Sequence, residues 1–307
     1  MEENIKTVIE HAPLSTYQVA VISVIVSVIT FFITNYIKNY FEKRLLKSKL
    51  ETEHRFNQQK QIKEVLAKNK VHLLTACEDF NHRMLNFASN YNKRWHYISN
   101  NDFTEPRNYY FHSFVYRFLA VFAWIKIIQN EMIFLDTTIA STKDLEFVKF
   151  IRVCPEILCD LDRIIGNKED GRYAIDHFFR NDFNQYSDCI IIGNRIKTYS
   201  EYIDNLSNTQ KELNNLYQWF SGISPNEKRN RWDRLHLFHL VITIFLNNYG
   251  YDFQITDKDK IRQIMTNPKK SEYLDDFFNL LKNYKLGKNA KVRQMIKISE
   301  SIQNENK

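Results

Sequence analysis

The densest group of polar side chains in an apolar part of this chain lies between Arg229 and His239, in the segment RNRWDRLHLFH. Asp233, His236 and His239 are spaced three residues apart, so on a helix all three lie within about one third of its circumference. Carboxylates and imidazoles bind metals, but a complete site needs further ligands from another segment. We predict no metal site, and we expect Arg–Asp pairs and half-buried histidines instead. The carboxylates that a buried arginine could pair with are Asp160, Asp162 and Asp176.

A second pattern is an arginine followed five residues later by a histidine. With 9 His among 307 residues, chance predicts fewer than one such pair, and the chain has four. The pairs are Arg107/His112, Arg172/His177, Arg231/His236 and Arg234/His239.

The first pair, in RNYYFH, resembles the R-polar-x-x-x-H motif of HEPN-type ribonucleases, all-helical domains of bacterial defence and toxin systems. The resemblance covers six residues and implies RNA cleavage without a metal. It makes His112 the general acid/base, Arg107 the stabiliser of phosphorane charge and Asn108 the orienting group. Arg231 and His236 form a second candidate pair. Side chains five positions apart on a helix point in directions about 140° apart, so the Arg and His of one pair do not share a face. A HEPN-like site would therefore have to combine the motifs of two chains in a dimer. The alternative is that these residues have a structural role.

Missing motifs argue against dinucleotide oxidoreductases, P-loop enzymes and α/β-hydrolases. The sequence contains no GxGxxG, Walker A, HExxH or GxSxG pattern, and it has only six glycines. A glycine-rich loop that cradles phosphate is therefore not expected, and neither is a small-molecule cofactor. The four cysteines match no zinc or redox spacing, which favours reduced, buried thiols.

Residues Tyr17 to Ile37 form an uncharged apolar run. About twenty such residues are the length that an α-helix needs to cross a bilayer. Its small and hydroxyl residues recur at intervals of three and four, which places them along one side of a helix. We call this side the seam, and it suits contact with another membrane helix or the lining of a pore. The seam residues are Ala20, Ser23, Ser27, Thr30 and Thr34.

The charges around this run predict its orientation. Residues 38–70 hold ten Lys or Arg and four Glu, a net charge of +6 out of +7 for the chain. Basic residues mark the cytoplasmic side, so we expect the N-terminus outside and the large domain in the bacterial cytoplasm. The length of the run and its trailing basic residues disfavour a cleaved signal peptide. The residues predicted to contact lipid headgroups are Lys38, Lys43, Arg44, Lys47 and Lys49.

The rest of the chain is predicted to be all-α. Neither proline nor glycine occurs between Pro13 and Pro106, which favours long helices. A helix from Pro106 to about Asp136 is apolar nearly all round and is predicted to be buried rather than membrane-spanning. The short run Cys189–Ile192 could form a strand. Further helices are predicted at 142–152, 156–165, 171–182, 199–221, 226–249, 257–266, 270–285 and 288–303.

The predicted architecture is one N-terminal transmembrane helix, a helical stalk and a cytoplasmic α-helical bundle. The segments 116–136, 171–179 and 234–249 are similar to blocks in bacterial single-span membrane proteins with an all-helical cytoplasmic domain, a group that transfers no activity. In that resemblance the framework residues are Tyr116, Arg117, Trp124, Arg172 and Arg234. The predicted domains are a tail at 1–16, the membrane helix at 17–37, a basic stalk at 38–60, the bundle at 61–300 and a disordered tail at 301–307.

Three functional hypotheses remain open. The leading one is a membrane-anchored interaction or sensing module that self-associates, with a possible place in phage defence. The second is a HEPN-like ribonuclease effector, for which RNA is the partner. The third is an oligomeric pore lined by the seam hydroxyls.

Overall fold

The computed structural model describes residues 15–99, 102–159, 176–269 and 272–305. It confirms the all-α prediction, with 78% of the chain helical. The chain divides into two compact units, Met1–Asn57 and Gln58–Lys307.

Unit 1 consists, where it is described, of the first part of helix α1, which spans Thr16–Asn90. The segments predicted as a membrane helix and a stalk are both helical. Every side chain from residue 15 to residue 57 is exposed. Unit 1 therefore presents a long apolar helix that packs on nothing within the described part of the unit.

Unit 2 contains the end of α1 and nine more helices among the described residues. Its helices pack as a bundle around one aromatic core. After α1 the elements are α2 (Tyr109–Glu131), α3 (Thr142–Cys159), α4 (Arg180–Asp188), β1 (Ile191–Ile192), β2 (Arg195–Ile196), α5 (Tyr199–Asp204), α6 (Leu206–Phe220), α7 (Arg231–Tyr249), α8 (Lys258–Thr266), α9 (Glu272–Asn283) and α10 (Ala290–Glu305).

Helix α7 is the centre of unit 2. All of its residues except Asn248 are buried, and it contacts α3, α8, α9 and α10. The ring of Phe238 on α7 packs on Phe80 of α1 and on Phe118 and Phe122 of α2, with ring centroids 4.8–5.5 Å apart. Helix α2 is the predicted buried helix, and 83% of its most apolar stretch is buried. The core thus lies between α1, α2 and α7.

The predicted strand is half of a two-stranded antiparallel hairpin, in which Ile191 pairs with Ile196. The chain reverses at Gly193, whose φ of 58° is a left-handed conformation that glycine adopts without a steric penalty. The hairpin precedes α5, whose N-terminus is capped by Thr198 and Glu201.

Two predicted helix boundaries are wrong. Pro155 lies inside α3, where a break was predicted. A proline removes one hydrogen bond from a helix, and burial of Phe150, Ile151, Ile157 and Leu158 holds the two parts of α3 together. The predicted helix at 199–221 is interrupted at Asn205, which ends α5 and precedes α6.

The C-terminal end also differs from the prediction. Helix α10 extends to Glu305, although 301–307 was predicted to be a disordered tail. Arg262 of α8 donates hydrogen bonds to both Ser301 and Glu305, which fixes the last turn. These contacts come from a distant helix, so local composition does not reveal them.

Of the predicted helix 156–165, the structure describes only 156–159, which form the end of α3. Of the predicted helix 171–182, residues 171–175 lie outside the described part, 176–179 are not α-helical and α4 begins only at Arg180. The helix predicted at 226–249 begins at Arg231.

Candidate functional site

Arg107 and His112, the first predicted catalytic pair, differ in their surroundings. The Arg107 side chain is 94% exposed, and its closest carboxylate is that of Glu105, 3.8 Å away. His112 is fully buried on α2, where its Nε2 donates to the Glu105 carbonyl at 3.1 Å. Burial lowers the pKa of His112. Asn108 occupies the N-cap position of α2 without a side-chain capping bond. The three residues share the start of α2, and within one chain they do not form a common cleft.

Arg231, which belongs to the second predicted catalytic pair, has a buried side chain that donates hydrogen bonds to the C-terminal end of α6. Its Nη1 donates to the carbonyls of Gln218, Trp219 and Ser221 at 2.7–3.0 Å. Those carbonyls lie at the C-terminus of α6, where helix carbonyls lack partners from their own helix. Its Nε donates to Glu227 at 2.8 and 2.9 Å. Arg231 therefore ties α7 to α6.

His236 and His239 are fully buried rather than half-buried as predicted. His236 Nδ1 donates to the Trp232 carbonyl at 2.9 Å, and His239 Nε2 lies 2.8 Å from the amide oxygen of Asn81 on α1. Burial lowers the pKa of His236 to about 4. A general acid/base works best with a pKa near the working pH. In this geometry His236 and His239 act as neutral packing residues.

The buried state of His236 predicts a pH dependence of stability. Its pKa is about 4 in the folded chain and about 6.5 when unfolded, so between these values the unfolded state binds more protons. The free energy of unfolding should fall by on the order of 3 kcal/mol from this residue as the pH drops from about 6.5 to 4. Urea denaturation of the detergent-solubilised chain, followed by tryptophan fluorescence, measures it. The change His236→Phe should flatten this slope, and an unchanged slope contradicts the assignment.

Carboxylates hold the polar start of α7, and one of the three proposed from the sequence, Asp176, is among them, although the arginine that it pairs with is half-buried. Asp176 is buried and accepts from Arg229 Nε at 2.6 Å and from the Asn230 backbone at 2.8 Å. Asp233 accepts from the Lys269 backbone at 2.6 Å. Arg234 is buried and donates to the Ile157 carbonyl at 2.7 Å. The other two proposed carboxylates, Asp160 and Asp162, and the arginine Arg172 lie outside the described residues.

A cavity of about 530 Å³ opens beside this cluster. His177 and Arg229 both line it, so the cavity brings a predicted histidine and an arginine of the cluster together. Asp182 also lines it, and Arg229 is already paired with Asp176. The described lining is completed by Phe178, Phe179, Tyr186, Asn215, Gln218 and Trp219.

The seam residues lie on one side of α1 in unit 1, and all are exposed. Ser27 Oγ donates to the Ser23 carbonyl at 2.8 Å, so this hydroxyl is satisfied by its own helix. The same side continues beyond the apolar run with exposed Phe41, Leu45 and Phe56. Ser27 can therefore pack on another helix without burying an unsatisfied hydroxyl.

The predicted headgroup residues surround α1 just after the apolar run. All five are exposed. Lys38 lies 3.9 Å from Glu42 and Lys47 lies 3.8 Å from Glu51, contacts that are worth little at an exposed surface. The remaining three of this set, Lys43, Arg44 and Lys49, are in no ion pair among the described residues.

Sequence reasoning missed several residues that hold the helices together, and their partners lie both near and far along the chain. Asn81 links α1 to α7 through His239, and Glu227 pairs with Arg231. Arg83 on α1 donates to Ser113 on α2 and lies over the ring of Tyr110. Only an indirect signal for this contact is present in the sequence. Tyr110, Ser113 and Arg117 are spaced by three and four residues, which places the residues that Arg83 touches on one side of α2.

Comparisons of the chain with known protein families, with curated proteins and with solved structures give no match.

Proposed function

We propose that this chain is a membrane-anchored helical module, with one span at residues 17–37 and with unit 2 in the bacterial cytoplasm. The observation that carries the proposal is that this uncharged stretch is a helix with none of its length buried. Contiguous apolar patches of this extent are rare on soluble monomers, because exposing them to water is unfavourable. A bilayer is the environment that removes this cost.

The contrast with α2 supports this proposal. Both helices are long and apolar enough to span a membrane by length and composition. Helix α2 buries most of its apolar surface in the core of unit 2, whereas the start of α1 has no such partner within the described part of unit 1. The basic residues after the span favour a cytoplasmic location for unit 2.

Alkaline carbonate extraction of membranes from cells that express the full chain tests the anchor. We expect the chain to stay in the membrane pellet with its N-terminus still attached. Release of the chain into the supernatant would show that the apolar run binds the membrane only peripherally. Loss of the N-terminal segment would show that the run is a cleaved signal sequence.

We further propose that the module self-associates through the seam on α1. Small residues let two helices approach closely in lipid, and the internal hydrogen bond of Ser27 favours a dry contact over a pore lining. This proposal makes the module an interaction or sensing component without catalysis. RNA cleavage and pore formation remain the alternatives, to be tested by RNA degradation and by membrane depolarisation in expressing cells.

The seam predicts a specific loss of self-association. Replacing Ser27 and Thr30 together by leucine should weaken association in a bacterial two-hybrid assay for membrane helices by about tenfold or more, because the larger side chains keep the backbones apart. Replacing Val24 and Val28, which lie outside the seam, by leucine is the matched control. Equal signals from the two double variants would exclude the seam as the contact.

A further inference from the structure

Two arginines of unit 2 lie close together without a carboxylate partner. They are Arg83 on α1 and Arg117 on α2, and both are half-buried. Among the described residues, no carboxylate oxygen lies within 4.0 Å of either guanidinium. Three other buried or half-buried arginines of unit 2 do have such a partner: Arg229 pairs with Asp176, Arg231 with Glu227 and Arg262 with Glu305.

The position of Arg83 is fixed by α2. Its Nη2 donates to Ser113 Oγ at 2.8 Å, and its guanidinium carbon lies 4.3 Å from the centre of the Tyr110 ring. Tyr110, Ser113 and Arg117 follow at intervals of three and four residues, so all three lie on one side of α2. Arg117 is therefore one helical turn beyond the residue that Arg83 touches.

The two charges repel each other. Burial and the charge of Arg117 lower the pKa of Arg83. Two acidic groups of unit 2 do not pair with these arginines: Asp79, four residues before Arg83 on α1, is exposed, and Glu201 is held by Arg195 at 2.8 Å. Like charges in a partly desolvated position are unfavourable, and a bound anion with several acceptor oxygens offsets that cost.

Exposed aromatic rings lie near Arg83. Tyr109, which is 56% exposed, lies 5.9 Å from the Arg83 guanidinium and packs edge-on against Tyr199 at 5.7 Å. Trp95 is 51% exposed and packs on the ring of Tyr110, with ring centroids 5.4 Å apart. Nucleobases stack on such rings whatever their identity, because every base has an aromatic face. Guanidinium groups beside open aromatic faces suit a ligand that carries both phosphate and a base.

We propose that Arg83 and Arg117 bind the phosphate groups of a nucleotide whose base stacks on Tyr109 or Trp95. This site lies within unit 2, and it goes beyond membrane attachment and does not depend on it. It would give the module a small-molecule ligand to sense.

The test is calorimetric titration of the full chain in detergent with ATP, GTP, CTP and UTP. We expect at least one of them to bind. Ribose 5-phosphate, which lacks the base and two of the phosphates, and the matching nucleoside, which lacks all phosphates, should bind at least about tenfold more weakly. Failure of all four nucleotides to bind overturns the proposal. Equal binding of ribose 5-phosphate overturns the role of the base, and tighter binding of single-stranded RNA assigns the patch to RNA instead.

Arg117→Gln tests the role of the arginines. A charge-assisted hydrogen bond contributes about 1.5–3 kcal/mol, so this variant should bind the nucleotide at least about tenfold more weakly. Arg152→Gln, the same change at an exposed position of α3, should bind normally. Without nucleotide, the Arg117→Gln variant should unfold at the same or a higher temperature, because a repulsive charge is gone. Equal affinity of the two variants contradicts the site.

Discussion

Replacing both Val24 and Val28 by lysine is expected to move the chain out of the membrane fraction. Both positions lie near the middle of the apolar run and outside the seam. A lysine at the centre of a membrane helix costs about 2.5–3.5 kcal/mol, so two of them cost about 5–7 kcal/mol. Carbonate extraction followed by immunoblotting of pellet and supernatant measures the effect.

The matched control for this variant carries leucine at the same two positions. It preserves the apolar length and should stay in the pellet like the parent chain. If the double-lysine chain also resists extraction, then residues 17–37 are not what holds the protein in the membrane.

Replacing Arg231 by methionine should lower the free energy of unfolding by about 3–5 kcal/mol, the range for removing one partner of a buried ion pair. The change leaves three carbonyls at the end of α6 without their donor, and it leaves Glu227 without its cation. Methionine keeps much of the side-chain volume, so the loss is one of hydrogen bonds and charge rather than of packing.

Arg152→Met is the control, since Arg152 is exposed on α3. Exposed substitutions of this kind change stability by less than about 0.5 kcal/mol. Urea denaturation monitored by tryptophan fluorescence compares the two variants, since all four tryptophans lie in unit 2. Similar stability of the two variants would contradict the structural role of Arg231 and make it a candidate catalytic residue again.

Much of the fold could be predicted because its signals are local. The uncharged run at 17–37, the absence of helix breakers before Pro106 and the apolar character of α2 each lie within one segment. The break at Asn205 and the continuous helix through Pro155 could not be predicted in this way. At Pro155 the packing of the buried residues on both sides outweighs the local preference of proline.

The polar residues of α7 show the same limit at the level of side chains. Their residue types and spacing marked 229–239 as unusual, but the pattern could not distinguish a reactive cluster from a structural one. That distinction depends on distant partners, such as Asp176 for Arg229 and Asn81 for His239. For Arg83, the partner on α2 is likewise remote in sequence.

The most direct test of the account is protease accessibility of unit 2 on the two sides of the bacterial inner membrane. In intact spheroplasts, added protease should leave unit 2 whole, because it lies inside. In inverted membrane vesicles the same protease should digest it. Digestion in spheroplasts, or recovery of the intact chain in the soluble fraction after lysis, would contradict a single span that holds unit 2 in the cytoplasm.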